Sequence, residues 1–160
     1  MRCIIPGAVR EKFDEVINRL GESFSLEAVL DIVRSTRNRP LHVREMRIVT
    51  GISGFAVALL DCDLIAINRQ IETDRRPKVI LHECSHFLLD HVTLEPYTFK
   101  QFKRAHHTLI KQRLHHEPIS AYDDPIEYAA ETLATMFLER VTLYEETIPP
   151  EIISMYGYKV

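Results

Sequence analysis

Apolar residues in the first part of the chain recur at helical spacing. From Val9 to Leu20 they return every three or four residues, which predicts a helix, and Gly21 lies where its C-terminal cap would fall. Ser25 is the predicted N-cap of a second helix, which the run ending at Pro40 closes. Residues 1–40 are therefore predicted to form a helical N-terminal part.

The period of the pattern changes between residues 41 and 70. Three short apolar or β-branched runs, Leu41–Ile48, Phe55–Leu60 and Leu64–Asn68, are separated by turn residues and predict three strands. The short Asp61–Asp63 connection requires an antiparallel hairpin. We therefore expect a small antiparallel sheet of about three strands.

The second half of the chain is predicted to be helical. A third helix runs from about Arg75 to His91 with Asp74 as its cap, and its residues 79–89 are apolar around most of the circumference, which is typical of a central, buried helix. A fourth covers about Thr98–His115, and a fifth runs from Asp124 to about Arg140 with Pro125 at its first position. Residues 75–140 would thus carry the helices, and residues 141–160 a C-terminal tail.

Composition places this pattern in one globular α+β domain with about five helices. The chain has 160 residues, of which 46% are hydrophobic and 27% charged. It lacks an apolar run of membrane-spanning length, and its N-terminus lacks a secretory pattern, so we expect a cytoplasmic protein without membrane contact. The net charge of −3 gives no general attraction to nucleic acid. Three widely spaced cysteines favour buried thiols over disulfides or a Cys-x-x-Cys metal site.

The third helix contains a metal-binding pattern. His82 and His86 are four residues apart and therefore lie about 40° apart around the helix axis, so both can reach one cation. Glu83, about 100° from His82, is displaced enough to contact a water on the metal instead of the metal itself. Two imidazoles and a nearby carboxylate favour a hydrolytic zinc site in which Glu83 is the general base. The alternative is a pair of core histidines that make ordinary hydrogen bonds.

A third ligand must come from elsewhere in the chain. Leu89 and Val92 stand where a metzincin needs Gly and His, so that class is excluded. Glu127 is the preferred candidate, and Glu131, four residues later on the same helix face, would accept a ring N–H of His82 or His86.

Glu127 has an alternative role, because Asp124-x-x-Glu127 is also a helix capping box. Glu131, Asp123 and Asp124 are the fallback ligands. Tyr128 could donate a hydrogen bond to an oxyanion, although buried tyrosines are common.

The sequence resembles the ImmA/IrrE family of zinc metallopeptidases over roughly the central and C-terminal two-thirds of the chain. The likeness lies in the hairpin, in Val-Ile-Leu-His-Glu-Cys-Ser-His-Phe-Leu-Leu-Asp-His (79–91) and in Pro-Ile-Glu-Tyr-Ala-Ala-Glu-Thr-Leu-Ala-Thr (125–135). The resemblance implies a compact zincin-like fold, with Glu127 as third ligand and a helix-turn-helix DNA-binding repressor as substrate. Cys84-Ser85 replaces the family's usual Leu-Gly pair, and Glu131 replaces its usual Asn or Asp.

The sequence thus predicts a zinc metallopeptidase that cleaves a repressor through a zinc-bound water activated by Glu83. The peptide would add to an exposed edge strand near residues 55–68. Two alternatives remain open: a metal-binding regulatory or toxin-like partner that does not cut the repressor, and a purely structural zinc domain. The basic, His-rich segment 100–116 is interpreted as a solvated helix face or a surface for an acidic partner. His91 would point about 140° away from His86, as a surface group or a group that contacts a ligand.

Overall fold

The structure, a computed structural model, describes residues 5–49, 51–104 and 124–142 and has an α+β architecture. Five helices and a three-stranded sheet are present within these ranges. The helices are α1 Gly7–Leu20, α2 Leu26–Arg37, α3 Arg76–Leu88, α4, of which residues 99–104 are described, and α5 Pro125–Leu138; the strands are β1 Leu41–Met46, β2 Gly54–Ala58 and β3 Asp63–Asn68.

Local sequence signals determine where α1 ends and where α2 begins, as predicted. The backbone N–H of Gly21, at φ +89°, donates to the Ile17 carbonyl and ends α1. Ser25 Oγ accepts the N–H of Ala28 at 3.1 Å and caps α2. Both predicted caps are confirmed. They could be predicted from the sequence because each cap involves only residues that are close together in the chain.

The sheet is mixed, so the prediction of an antiparallel sheet is wrong. The strand order is β1-β3-β2, with β1 parallel to β3 and β2 antiparallel to β3. The hairpin between β2 and β3 is confirmed. The error lies in β1, which pairs with β3 in the parallel direction, so that β3 lies between the two earlier strands.

Asn68 stabilises this topology at the end of β3. Its buried side-chain amide donates to the carbonyls of Ile48 (3.3 Å) and Ile52 (2.9 Å), and its backbone N–H donates to the Ser53 carbonyl. The β1–β2 connection is therefore held at the end of β3, where the carbonyls of Ile48, Ile52 and Ser53 gain hydrogen-bond partners.

The beginning of α3 differs from the prediction. Asp74 is not its cap, because it lies in a 3₁₀ turn, Thr73–Arg75, that leads into the helix at Arg76. Pro77 lies in the first turn, where its missing N–H is tolerated. The helix also ends earlier than predicted, at Leu88. The predicted Asp124 cap of α5 is confirmed, since Asp124 Oδ1 accepts the N–H of Ile126 at 2.9 Å.

Two apolar clusters lie on either side of β3. The larger one joins α1, α2, α3 and α5 to residues such as Ile65 and Ile67. The smaller one packs Phe102 of α4 against Leu64 and its neighbours. Cys62 and Cys84 are buried free thiols, as expected, and burial raises the pKa of Cys62 to about 11. Cys3, residues 105–123, which include most of the basic segment 100–116, and the tail from residue 143 lie outside the described residues.

Gly54 sets the spacing between β2 and α3. A Cβ at this position would lie 2.6 Å from the Ala66 carbonyl oxygen and 2.8 Å from Val79 Cγ1. Both distances are shorter than van der Waals contact, so any larger residue must shift β2 relative to β3, which carries Ala66, and relative to α3, which carries Val79.

Gly54→Ala should lower the free energy of unfolding by about 1–3 kcal/mol, because the added methyl group overpacks this contact. Gly7→Ala is the matched control, since a Cβ there meets no atom within 4 Å. Urea denaturation of both variants measures the difference. Equal stability of Gly54→Ala and Gly7→Ala would show that the β2–α3 spacing is not fixed.

Candidate metal centre

The histidines of helix α3 face α5 because the other sides of this helix are buried. Ile80, Leu81, Cys84 and Phe87 are almost completely buried, and the helix packs against α2, α5, β2 and β3. This packing fixes the rotation of α3 about its axis and directs one side toward α5. His82 and His86 lie on that side.

Helix α5 brings the carboxylates to the same place. Ala130, Leu133, Ala134 and Phe137 are fully buried and hold α5 against the core. Glu127 therefore faces the histidines of α3. Its Oε2 lies 3.0 Å from His82 Nε2 and its Oε1 lies 3.2 Å from His86 Nε2.

These contacts bear on the capping-box alternative. In a capping box the Glu127 carboxylate turns back to the backbone N–H of Asp124. Here both of its oxygens point toward the histidines, while Asp124 caps the helix through its own side chain. Glu127 is therefore available as a ligand without loss of the helix cap.

The geometry of His82, His86 and Glu127 fits one metal ion. The Nε2 atoms of the two histidines lie 3.2 Å apart, while Glu127 places Oε2 at 3.0 Å from His82 Nε2 and Oε1 at 3.2 Å from His86 Nε2. Neighbouring ligands on a tetrahedral ion with bonds of about 2.0 Å are about 3.3 Å apart. Among the described residues these three form a possible metal-binding triad.

Glu131 contacts the other nitrogen of His82. Its Oε2 lies 2.8 Å from His82 Nδ1, and its Oε1 accepts from Lys78 Nζ at 3.1 Å. A carboxylate in this position orients the imidazole and leaves Nε2 to face the metal site. This is one of the two contacts that the sequence suggested for Glu131.

The acidic groups give the site a strong affinity for positive charge. Burial opposes protonation of His82, but hydrogen bonds to Glu127 and Glu131 outweigh it and raise its pKa to about 10. The contact with His82 lowers the pKa of Glu131 to about 2, and contacts with both histidines lower the pKa of Glu127 further. A proton and a metal ion would therefore compete for the same place.

His91 contacts His86, whereas helical spacing predicted that it would point away from His86. The Nδ1 atoms of the two rings are 3.1 Å apart. The angle of 140° assumed a helix continuing to His91, whereas α3 ends at Leu88 and the chain turns back at Asp90, with φ +59°. Burial and the nearby His86 lower the pKa of His91.

Glu83 lies beside the triad in an open cleft of about 720 Å³. Its side chain is 6% exposed, yet it lines the cleft together with His82 and His86. Residues 53–56, at the start of β2, also line the cleft. Glu83 is thus a buried residue that still lines the cleft beside the triad.

The remaining candidates contribute less to this geometry. Tyr128 is half-buried and is not among the described residues that line the cleft, so its proposed oxyanion role stays a prediction. Asp123 lies outside the described residues. Within the basic segment, Lys103 Nζ lies 4.8 Å from the centre of the Phe99 ring, a cation–π contact on the surface of α4.

Comparisons with family models, curated proteins and solved structures returned no match. The helices within the described ranges are too short or too polar to cross a membrane. The geometry of the site must therefore support any functional conclusion.

Glu127→Gln should weaken metal affinity far more than Glu131→Gln, because Glu127 belongs to the candidate triad whereas Glu131 contacts the triad only through His82 Nδ1. For Glu131→Gln we expect a loss of about 10 to 100-fold. Affinity is measured by competition with a zinc chelator.

Asp124→Ala is the matched control, because it removes the α5 cap without changing a ligand. It should cost about 0.5–2 kcal/mol of stability and leave metal affinity nearly unchanged. A Glu127→Gln variant that binds zinc as tightly as Asp124→Ala would show that Glu127 is not a metal ligand.

Proposed function

We propose that this chain is a zinc-dependent metallopeptidase that hydrolyses a peptide bond, with zinc held by His82, His86 and Glu127. The observation that carries the proposal is the convergence of these three groups at an open cleft that Glu83 also lines. Imidazole and carboxylate ligands suit zinc, and three protein ligands with an accessible fourth position are typical of catalytic zinc.

A zinc ion held by these residues would supply a Lewis acid for the scissile carbonyl and would acidify a bound water. Glu83 takes a proton from the attacking water and then delivers it to the nitrogen of the leaving amine. Glu131 keeps His82 in the tautomer whose Nε2 faces the metal. Residues of this chain thus account for ligation, orientation and proton transfer.

The shape of the cleft favours an extended peptide as substrate. Residues 53–56 line the cleft together with Glu83 and the triad, and an open cleft beside a strand suits a peptide bound in extended form. A peptide lying along residues 53–56 passes in front of Glu83 and the triad. The resemblance to ImmA/IrrE peptidases suggests that this peptide belongs to a helix-turn-helix repressor in the cytoplasm.

A structural zinc domain is less compatible with the site. Structural zinc takes four protein ligands, and the described residues bring three together beside a large cleft. The metal-binding regulatory or toxin-like partner shares the open site with the peptidase. A test of proton transfer by Glu83 distinguishes the peptidase from the regulatory partner.

Protein purified without added metal should contain one zinc per chain, and chelation should lower its melting temperature. Free zinc at 100 times its dissociation constant stabilises the folded state by about 2.7 kcal/mol. Elemental analysis and thermal denaturation with and without zinc test this. An unchanged melting temperature would contradict a metal site in the folded protein.

Glu83→Gln should leave zinc content and repressor binding intact but reduce cleavage at least about 100-fold, because the amide cannot accept the proton. Wild type and variant are incubated with the helix-turn-helix repressor encoded beside the gene, and intact mass spectrometry follows cleavage. Glu139→Gln, an exposed change near the end of α5, is the control for loss of a carboxylate and should cleave like wild type.

The two remaining functions predict different results. A regulatory partner would bind zinc and the repressor, leave the repressor whole, and show no difference between Glu83→Gln and Glu139→Gln. That result would reject the peptidase function while leaving the metal site in place.

A further inference from the structure

The turn that ends α3 forms a complete Schellman motif. Leu89 is the C-cap, Asp90 follows in the left-handed region at φ +59°, and His91 comes next. The N–H of Asp90 donates to the Phe87 carbonyl at 3.2 Å, and the N–H of His91 donates to the His86 carbonyl at 2.9 Å. These are the two hydrogen bonds that define the motif, so the backbone of His91 is fixed against the turn that carries His86.

A Schellman motif also brings together the side chains at these two positions, which usually make an apolar contact. In this chain both are imidazoles. Their ring centres are 5.3 Å apart and the planes are inclined at 61°, with the two Nδ1 atoms 3.1 Å apart. Two nitrogens at this distance make a hydrogen bond only if one donates and the other accepts.

We propose that His91 is a positioning residue that accepts the Nδ1–H of His86 and so orients His86 Nε2 toward the metal. This inference rests on the proposed metal site. His86 Nε2 is the atom that faces Glu127 and His82, so it must be unprotonated to bind an ion, and the proton of a neutral His86 then lies on Nδ1. His91 Nδ1 is the partner that this proton meets.

The two histidine ligands are consequently supported in different ways. His82 contacts the carboxylate of Glu131 through Nδ1, whereas His86 contacts an imidazole. One support comes from a different helix, α5, and the other from the turn that ends α3 itself. Orientation of His86 therefore depends on the local turn as well as on the packing of α3 against α5.

The test compares His91→Leu with His91→Asn. Leucine removes the acceptor, while the Oδ1 of asparagine can take the place of Nδ1 and accept the same hydrogen bond. His91→Leu should weaken zinc affinity by about 10 to 100-fold, and His91→Asn should recover most of this loss. Zinc affinity is measured by chelator competition, and visible absorption of the cobalt(II)-substituted proteins reports the geometry at the metal.

Asp90→Gly is the matched control, since glycine adopts a positive φ readily and leaves His91 in place. It should bind zinc like wild type. Urea denaturation of all metal-free variants separates loss of folding stability from loss of the ligand's orientation.

The proposal is overturned if His91→Leu binds zinc as tightly as wild type, including the case in which its peptide cleavage falls. It is also overturned if leucine and asparagine impair zinc binding equally, or if wild type binds no zinc. A wild type whose zinc affinity depends on His91 but which cleaves no repressor would support this inference and reject only the peptidase function.

Discussion

The packing of α3 against α5 is the contact on which the site depends. Burial of Leu133 and Phe137 contributes about 1.5–3 kcal/mol each, and Leu81 and Phe87 on α3 add similar terms. These apolar contacts fix the rotation of both helices, so the carboxylates of α5 have to face the histidines of α3. A polar group buried without a partner costs about 1–3 kcal/mol. The buried His86 avoids that cost through its contacts with His82 and Glu127, in an arrangement that also suits a metal ion.

Buried ion pairs fix the ends of the elements that support the site. The guanidinium of Arg76, at the start of α3, lies 3.1 Å from the carboxylate of Glu45 on β1 and also donates to the carbonyl of Ile71. Asp63, at the start of β3, is 1% exposed and pairs with Arg37 at the end of α2. Breaking a buried pair by removing one partner leaves an uncompensated charge and is strongly destabilising. Such pairs tie helix ends to the sheet at defined positions.

The site reuses the same elements for structure and chemistry. Gly54 allows β2 to approach α3 closely, and this brings the outer edge of the sheet beside Glu83 and the triad. The turn at Asp90 ends α3 and at the same time places His91 against His86. Asp124 caps α5 through its own carboxylate, which leaves Glu127 free to face the histidines. Each feature combines a folding role with a role in arranging the candidate metal centre.

The sequence by itself determined what depends on near neighbours. The caps at Gly21, Ser25 and Asp124 and the β2–β3 hairpin were predictable because turns, caps and helical spacing involve residues a few positions apart. The pairing of His82 with His86 belongs to this group, since one helix turn separates them. Tertiary structure alone decided that β3 lies between β1 and β2, that Glu127 faces the histidines from 41 residues beyond His86, and that His91 turns back onto His86. The physical reason is that strand order, the rotation of one helix against another and the choice between competing hydrogen bonds depend on how distant apolar faces pack, which no local pattern specifies.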